Sequence, residues 1–344
     1  MTTPSIRNRK LDHIELAMEG RSNVSIDPGW DGVRIQPVAL PMLDAGAVEP
    51  SVQFLGRDLK APIMIAGMTG GHGDTEVINA NLALAAEECG VAMGVGSQRA
   101  ALQDASLVSS YSVVRIHAPK AFICGNIGIS QLVETFIEKD EISRLIDMVE
   151  ADAIAVHINV LQELTQPEGD VRLSNALSAL KEFISQCPVP VIVKETGCGL
   201  DGKTARRLKD IGAAVLDVGG AGGTSFVQIE GVRAERVGDV GKARLANTFA
   251  QWGLPTIASL QQVKDIGLPV IATGGVRNGL DVAKAIALGA NLVGIGRQML
   301  AAALKGPDET VDELKAIIEE LTIAMVLTES TDITALSKVH FEIV

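Results

Sequence analysis

The sequence predicts an α/β protein, a (β/α)8 TIM barrel with an N-terminal extension. Three observations lead there. Eight short apolar runs alternate with segments of helical apolar spacing. Each run is apolar on both faces and closes on Gly or a polar residue, as a parallel strand buried under helices should. The chain has 344 residues, 47% of them hydrophobic but only 3% aromatic, with 35 Gly. Ala, Val, Ile and Leu must therefore fill a core too large for most folds except a barrel.

The runs are residues 62–68, 91–95, 121–125, 153–158, 189–194, 214–218, 269–273 and 291–295. Between them, residues 76–89 have helical spacing and stop before Gly90, and 280–288 stop before Gly289. Residues 141–150 and 204–211 also read as helices. Strand–helix alternation implies a parallel sheet with right-handed crossovers, and eight units imply closure. Residues 1–60 form an extension able to cover one end of the barrel, 61–307 the barrel core, and 308–344 late helices. Without a Pro/Ser-rich linker, a single domain is expected.

Charge and composition exclude several classes. Thirty Lys and Arg against 42 Asp and Glu give a net charge of −12. That balance argues against nucleic acid or a membrane surface as partner, yet local cations can still hold a small anion. No apolar stretch approaches the ~18 residues of a spanning helix. Cys89, Cys124, Cys187 and Cys198 are scattered, which suits reduced thiols in a cytoplasmic protein rather than disulfides or zinc.

In a barrel of this kind the chemistry sits where strands end. The first end reads Gly67-Met68-Thr69-Gly70-Gly71, the second Gly96-Ser97-Gln98-Arg99, the third Gly125-Asn126. The seventh and eighth give Gly274-Gly275-Val276 and Gly296-Arg297, where such barrels seat phosphate, and Gly222-Gly223-Thr224 follows the sixth. Lys194 closes the fifth run; it is either ion-paired or a cation for the N1–O2 edge of a flavin. His157 closes the fourth, followed by Asn159, Gln162 and Glu163. Glu163 is able to hold Mg2+ together with diphosphate oxygens, or simply opens an exposed helix. Arg9 and Lys10 form a small basic cluster, and Arg99 is a second cation suited to a diphosphate.

Taken in order, these segments resemble the type 2 isopentenyl-diphosphate isomerases. The match runs from Arg9-Lys10-Leu11-Asp12-His13 through Met68–Gly71, Gly96–Arg99, Asn126–Gly128, His157–Glu163, Val193–Glu195 and Gly222–Thr224 to the helices near Thr328. The resemblance implies FMN, Mg2+ and NADPH as reductant. It implies isopentenyl diphosphate and dimethylallyl diphosphate as substrate and product, and a homo-oligomer, tetramer or octamer.

Carried over, FMN contacts fall on Gly67, Met68, Thr69, Ser97, Asn126, Lys194, Thr224, Gly274, Gly275, Val276, Gly296 and Arg297. Substrate contacts fall on Arg9, Lys10, Ser97, Gln98, Arg99, His157, Asn159 and Gln162, and Mg2+ on Glu163. Gln162, Glu230 and His157 are the catalytic candidates, with flavin N5 as acid–base centre and Gln162 and Glu230 ordering a proton relay. Phe226, Gly219 and Gly296-Arg297 depart from the family pattern. Two rivals remain: a 2-hydroxy-acid oxidase or dehydrogenase, which needs a His–Arg pair that the late strand ends lack, and a non-catalytic flavin or phosphate binder.

Overall fold

The computed structural model describes residues 6–20, 26–134, 139–166 and 173–344, with side chains from residue 12 onward. Eight parallel strands close into a barrel: β1 (Ile63–Ile65), β2 (Ala92–Gly94), β3 (Ile123–Gly128), β4 (Ala153–Ile158), β5 (Val191–Glu195), β6 (Val215–Asp217), β7 (Val270–Thr273) and β8 (Leu292–Ile295). Each strand pairs with its sequence neighbours, and β8 returns to β1 through Gly294–Met64. The eight apolar runs coincide with these strands.

Alternation along the strands divides the core in two. Met64, Ala92, Cys124, Ala153, Ala155, Ile192, Val215, Ile271 and Leu292 fill the barrel interior. The intervening residues, such as Ile63, Ile154, Val193 and Leu216, pack under the helices. Interior side chains are small in β2 and β4, where Ala92, Ala153 and Ala155 face inward.

The helices follow the expected order: Asp74–Cys89, Lys139–Asp147, Gly202–Asp210 and Gly279–Ala287. Gly90 caps the first of these in the left-handed conformation. The region after residue 307 is one long helix, Pro307–Leu327, then a short one, Ile333–Leu336.

The extension does more than cover one end. A hairpin of Val52–Phe54 and Arg57–Leu59 plugs the N-terminal end of the strands, with Phe54 edge-on to Phe122. Val33–Ile35 pairs antiparallel with Phe341–Ile343. The helix Ile6–Met18 lies at the opposite end, packing Leu16 and Ala17 on Ile229. No helix among the described residues is long and apolar enough to cross a membrane.

Candidate active site

Period-two alternation decides which side chains enter the barrel mouth. Cys124, Ala155, Ile192, Val215 and Ile271 point inward, so Asn126, His157, Lys194, Asp217 and Thr273, each two residues on, do too. Register then aligns them. Gly128 pairs with His157, His157 with Lys194, and Lys194 with Asp217.

His157 Nδ1 donates to Asn126 Oδ1 at 2.8 Å, and Asn126 Nδ2 donates to the Val95 carbonyl at 3.0 Å. Gln98 corrects the expectation of a direct diphosphate contact. It is fully buried in the barrel wall. Its amide nitrogen donates to the Leu145 carbonyl at 2.9 Å, and its oxygen accepts from the Asn126 backbone N–H at 2.8 Å. Gln98 therefore holds Asn126, which holds His157. Ser97 is half-buried, and its carbonyl accepts from the Tyr111 hydroxyl at 2.5 Å. Arg99 lies 3.7 Å from Glu134, and its buried Nε has no partner among the described residues. Arg9 and Lys10 sit on the helix Ile6–Met18, with side chains outside the described residues.

The turn after β4 enters the helix Val160–Thr165 and builds a second cluster. Asn159 Nδ2 donates to Gln162 Oε1 at 3.2 Å and to Glu163 Oε1 at 3.0 Å. Glu163 Oε2 accepts from Gln166. Gln162 Nε2 donates to Glu230 Oε1 at 3.0 Å, and His13 Nε2 donates to the same oxygen at 2.9 Å. Glu230 lies on the helix Phe226–Val237, whose first turn is capped by the Ser225 side chain. Arg233, one turn on, donates to Glu230 Oε2 at 2.5 Å. Burial pushes the Glu230 carboxyl up, but the hydrogen bond and charge of His13, with Arg233 and Gln162, outweigh it and bring it to about 2.

Lys194 Nζ donates to Asp217 Oδ2 at 2.9 Å. The next residue, Glu195, faces away from the barrel mouth and is buried. Burial pushes its carboxyl up to about 8, although the N–H groups of Cys198 and Gly199 donate to it.

The loops after β6 and β7 meet backbone to backbone. A Cβ on Gly223 would stand 2.8 Å from the Gly275 nitrogen, and Gly275 has φ +63°. Trp30 Nε1 and Thr256 Oγ1 both donate to the Gly274 carbonyl at 3.0 Å. Val276 is buried in the core, so only its backbone can meet a ligand. Thr224 is half-buried, and Gly296-Arg297 opens the helix Arg297–Ala303. Arg277 is held by Asp31 and Asp281. Gly219 has a physical reason for its departure: with φ +48°, a Cβ there would lie 1.9 Å from the Glu195 carbonyl oxygen. Phe226 packs edge-on to His13, centroids 6.0 Å apart.

Whether FMN suits this mouth can be tested on its polar atoms. Thr69 Oγ1, Thr273 Oγ1 and Asn159 Oδ1 are buried without a partner among the described residues. A small cleft, bordered by Gly67, Gly94, Asn126, Lys194, Asp217 and Thr273 among others, lies between the strand ends. A planar group with polar edges suits it, and its phosphate suits the Gly-rich loops. For Mg2+, no group of three His, Cys, Asp or Glu exists among the described residues. Glu163 alone fits an ion that takes its other ligands from water and diphosphate.

Sequence reading placed Thr273 at a strand end without a role and missed Asp217, Arg233 and Trp30. Alternation from Val215 and Ile271 signals Asp217 and Thr273. Nothing local signals Arg233 or Trp30, whose partners come from elsewhere in the chain.

Fold and mouth together define an FMN-binding barrel enzyme. Residues 136–342 match the family model FMN-dependent dehydrogenase. The isopentenyl-diphosphate delta-isomerase of Halobacterium salinarum is 47% identical, over 97% of this chain and 92% of that protein. Its counterparts from Methanococcoides burtonii (45%; 94% and 88% covered) and Archaeoglobus fulgidus (43%; 94% and 92% covered) are similar throughout. The chain belongs to the isopentenyl-diphosphate delta-isomerase family. Solved structures of mandelate oxidase variants share the fold. One with (S)-mandelic acid has TM-score 0.65 at 18% identity, covering 100% of this chain and 99% of that one; one with benzaldehyde has 0.67 at 19%, covering 98% and 95%.

Proposed function

We propose that this chain converts isopentenyl diphosphate to dimethylallyl diphosphate with reduced FMN and Mg2+. The observation that carries the reading is the chain of hydrogen bonds His13–Glu230–Gln162–Asn159, built where β4 ends. Moving the double bond requires one carbon to gain a proton and another to lose one. Gln162 donates to Glu230 and accepts from Asn159, so both ends of its amide are committed and its orientation is fixed. Glu230, ionised and doubly bonded, anchors that geometry and orders the path of the proton. Reduced FMN, when bound, supplies an acid–base centre at N5 and an electron-rich face that stabilises developing positive charge.

His157, oriented by Asn126 and thus by Gln98, binds the diphosphate with Ser97, Arg99, Arg9 and Lys10. Glu163 holds Mg2+ against the same diphosphate. FMN is held through Gly67, Met68, Thr69, Ser97, Asn126, Lys194 and Thr224, and its phosphate through Gly274, Gly275, Val276, Gly296 and Arg297. NADPH serves as external reductant, and the reading brings with it a cytoplasmic homo-oligomer, tetramer or octamer.

The test is anaerobic turnover of isopentenyl diphosphate with FMN, NADPH and Mg2+. Dimethylallyl diphosphate should form, and its yield should collapse without flavin. Equal yield without flavin, or oxidation of glycolate or lactate instead, overturns the proposal. Arg277, tied between Asp31 and Asp281, is already occupied as a carboxylate binder, which weighs against the oxidase.

A further inference from the structure

Register and alternation bring Asp217 to the same level as His157 and Lys194, facing into the mouth. Its carboxylate is tethered at both oxygens. Oδ2 accepts from Lys194 Nζ at 2.9 Å, and Oδ1 accepts from the Gly219 N–H at 3.2 Å. The side chain is short, buried and fixed to a turn that tolerates only glycine. Lys194 has the long, flexible stem. The carboxylate is therefore the stationary member of the pair, and it places the ammonium.

The same residues line the mouth space. Its other titratable lining group is Cys124, whose thiol burial pushes up to about 12, so it remains neutral. The charges lining that space are thus one positive and one negative, in contact. We propose that Asp217 is the counter-ion of the flavin seat: a positioning residue that fixes Lys194 and cancels part of its field. This rests on the reading of Lys194 as the cation facing FMN. Lysine alone would favour the anionic reduced flavin over the oxidised one. Asp217 moderates that preference, and it spares the mouth an unpaired, largely buried ammonium.

The test is the midpoint potential of bound FMN, measured anaerobically against reference dyes at one pH. Asp217→Asn keeps an acceptor for Gly219 and removes the negative charge. Removing a unit charge from a buried lining should favour reduced over oxidised FMN by roughly tenfold or more. For a two-electron couple that is a positive shift of ~30 mV. Lys194→Met should move the potential the other way. An unchanged or lowered potential in Asp217→Asn, with the Lys194→Met shift present, overturns the counter-ion role. No shift in Lys194→Met overturns the underlying reading of Lys194. If Asp217→Asn fails to fold, Asp217→Ser carries the same test with the same expected sign.

Discussion

Glu230 is a carboxylate with no contact to solvent, held by one histidine, one amide and one guanidinium. Each partner has a different consequence when removed. Glu230→Gln should lower kcat by roughly a hundredfold to ten-thousandfold while FMN still binds, as steady-state kinetics and flavin absorbance will show. Arg233→Leu leaves a buried charge with less compensation and should destabilise the protein by about 3 to 5 kcal/mol in denaturant melts. The pH response follows from the depressed carboxyl. Its stabilising contribution is complete above the ordinary value of 4.5 and is lost as pH falls toward about 2, so acid unfolding should steepen across that window. Glu195 works with the opposite sign. Raised to about 8, it contributes fully below 4.5 and loses its contribution as pH rises toward 8. Thermal melts of Glu195→Gln from pH 5 to 8 should be flatter than those of the wild type.

At the scale of elements, the helix Ile6–Met18 supplies His13 to the site and Asp12 to Arg233. It rests on Phe226–Val237 through Leu16, Ala17 and Ile229, and packs Ile14 and Met18 against the main core. Deleting residues 1–18 should leave FMN occupancy intact but lower the melting temperature, because Glu230 then keeps a buried charge with only Arg233 and Gln162 to compensate it. The same deletion should cut kcat/KM for the diphosphate substrate by roughly a hundredfold or more, the effect of a lost acid–base group or its orientation. The turn after β6 is less forgiving. Gly219→Ser demands a left-handed serine whose Cβ meets the Glu195 carbonyl. Strain alone makes that cost about 1 to 3 kcal/mol, and FMN retention should fall with it.

For the molecule as a whole, the barrel was legible because parallel strands under helices leave a local signature. Residues 153–158 were read with the bounds the structure gives, whereas β3 continues three residues past the apolar run because Asn126 and Gly128 pair with β4. The strand-end glycines and the order of motifs pointed to the mouth. What stayed hidden depends on where a polar side chain spends its hydrogen bonds. Gln98 lies inside a motif that faces the mouth, yet it turns into the wall, because Leu145 and the Asn126 N–H offer it two bonds there. The extension was read as one cap, but it divides between the two ends because its hairpin is apolar enough to plug the lower barrel.

The bond between His13 and Glu230 joins residues 217 positions apart. The ribosome releases the first of these long before the second. The N-terminal helix lacks its contacts with Ile229 and Glu230 until those residues have been made and folded. It is synthesised before the helix it docks on, so this contact forms only after the sixth strand has been made. A nascent or truncated chain that ends before the sixth crossover therefore lacks Glu230, the residue that joins His13 to Gln162. Closure of the barrel, from β1 at one extreme to β8 at the other, and completion of this hydrogen-bond chain both await the later half of the sequence.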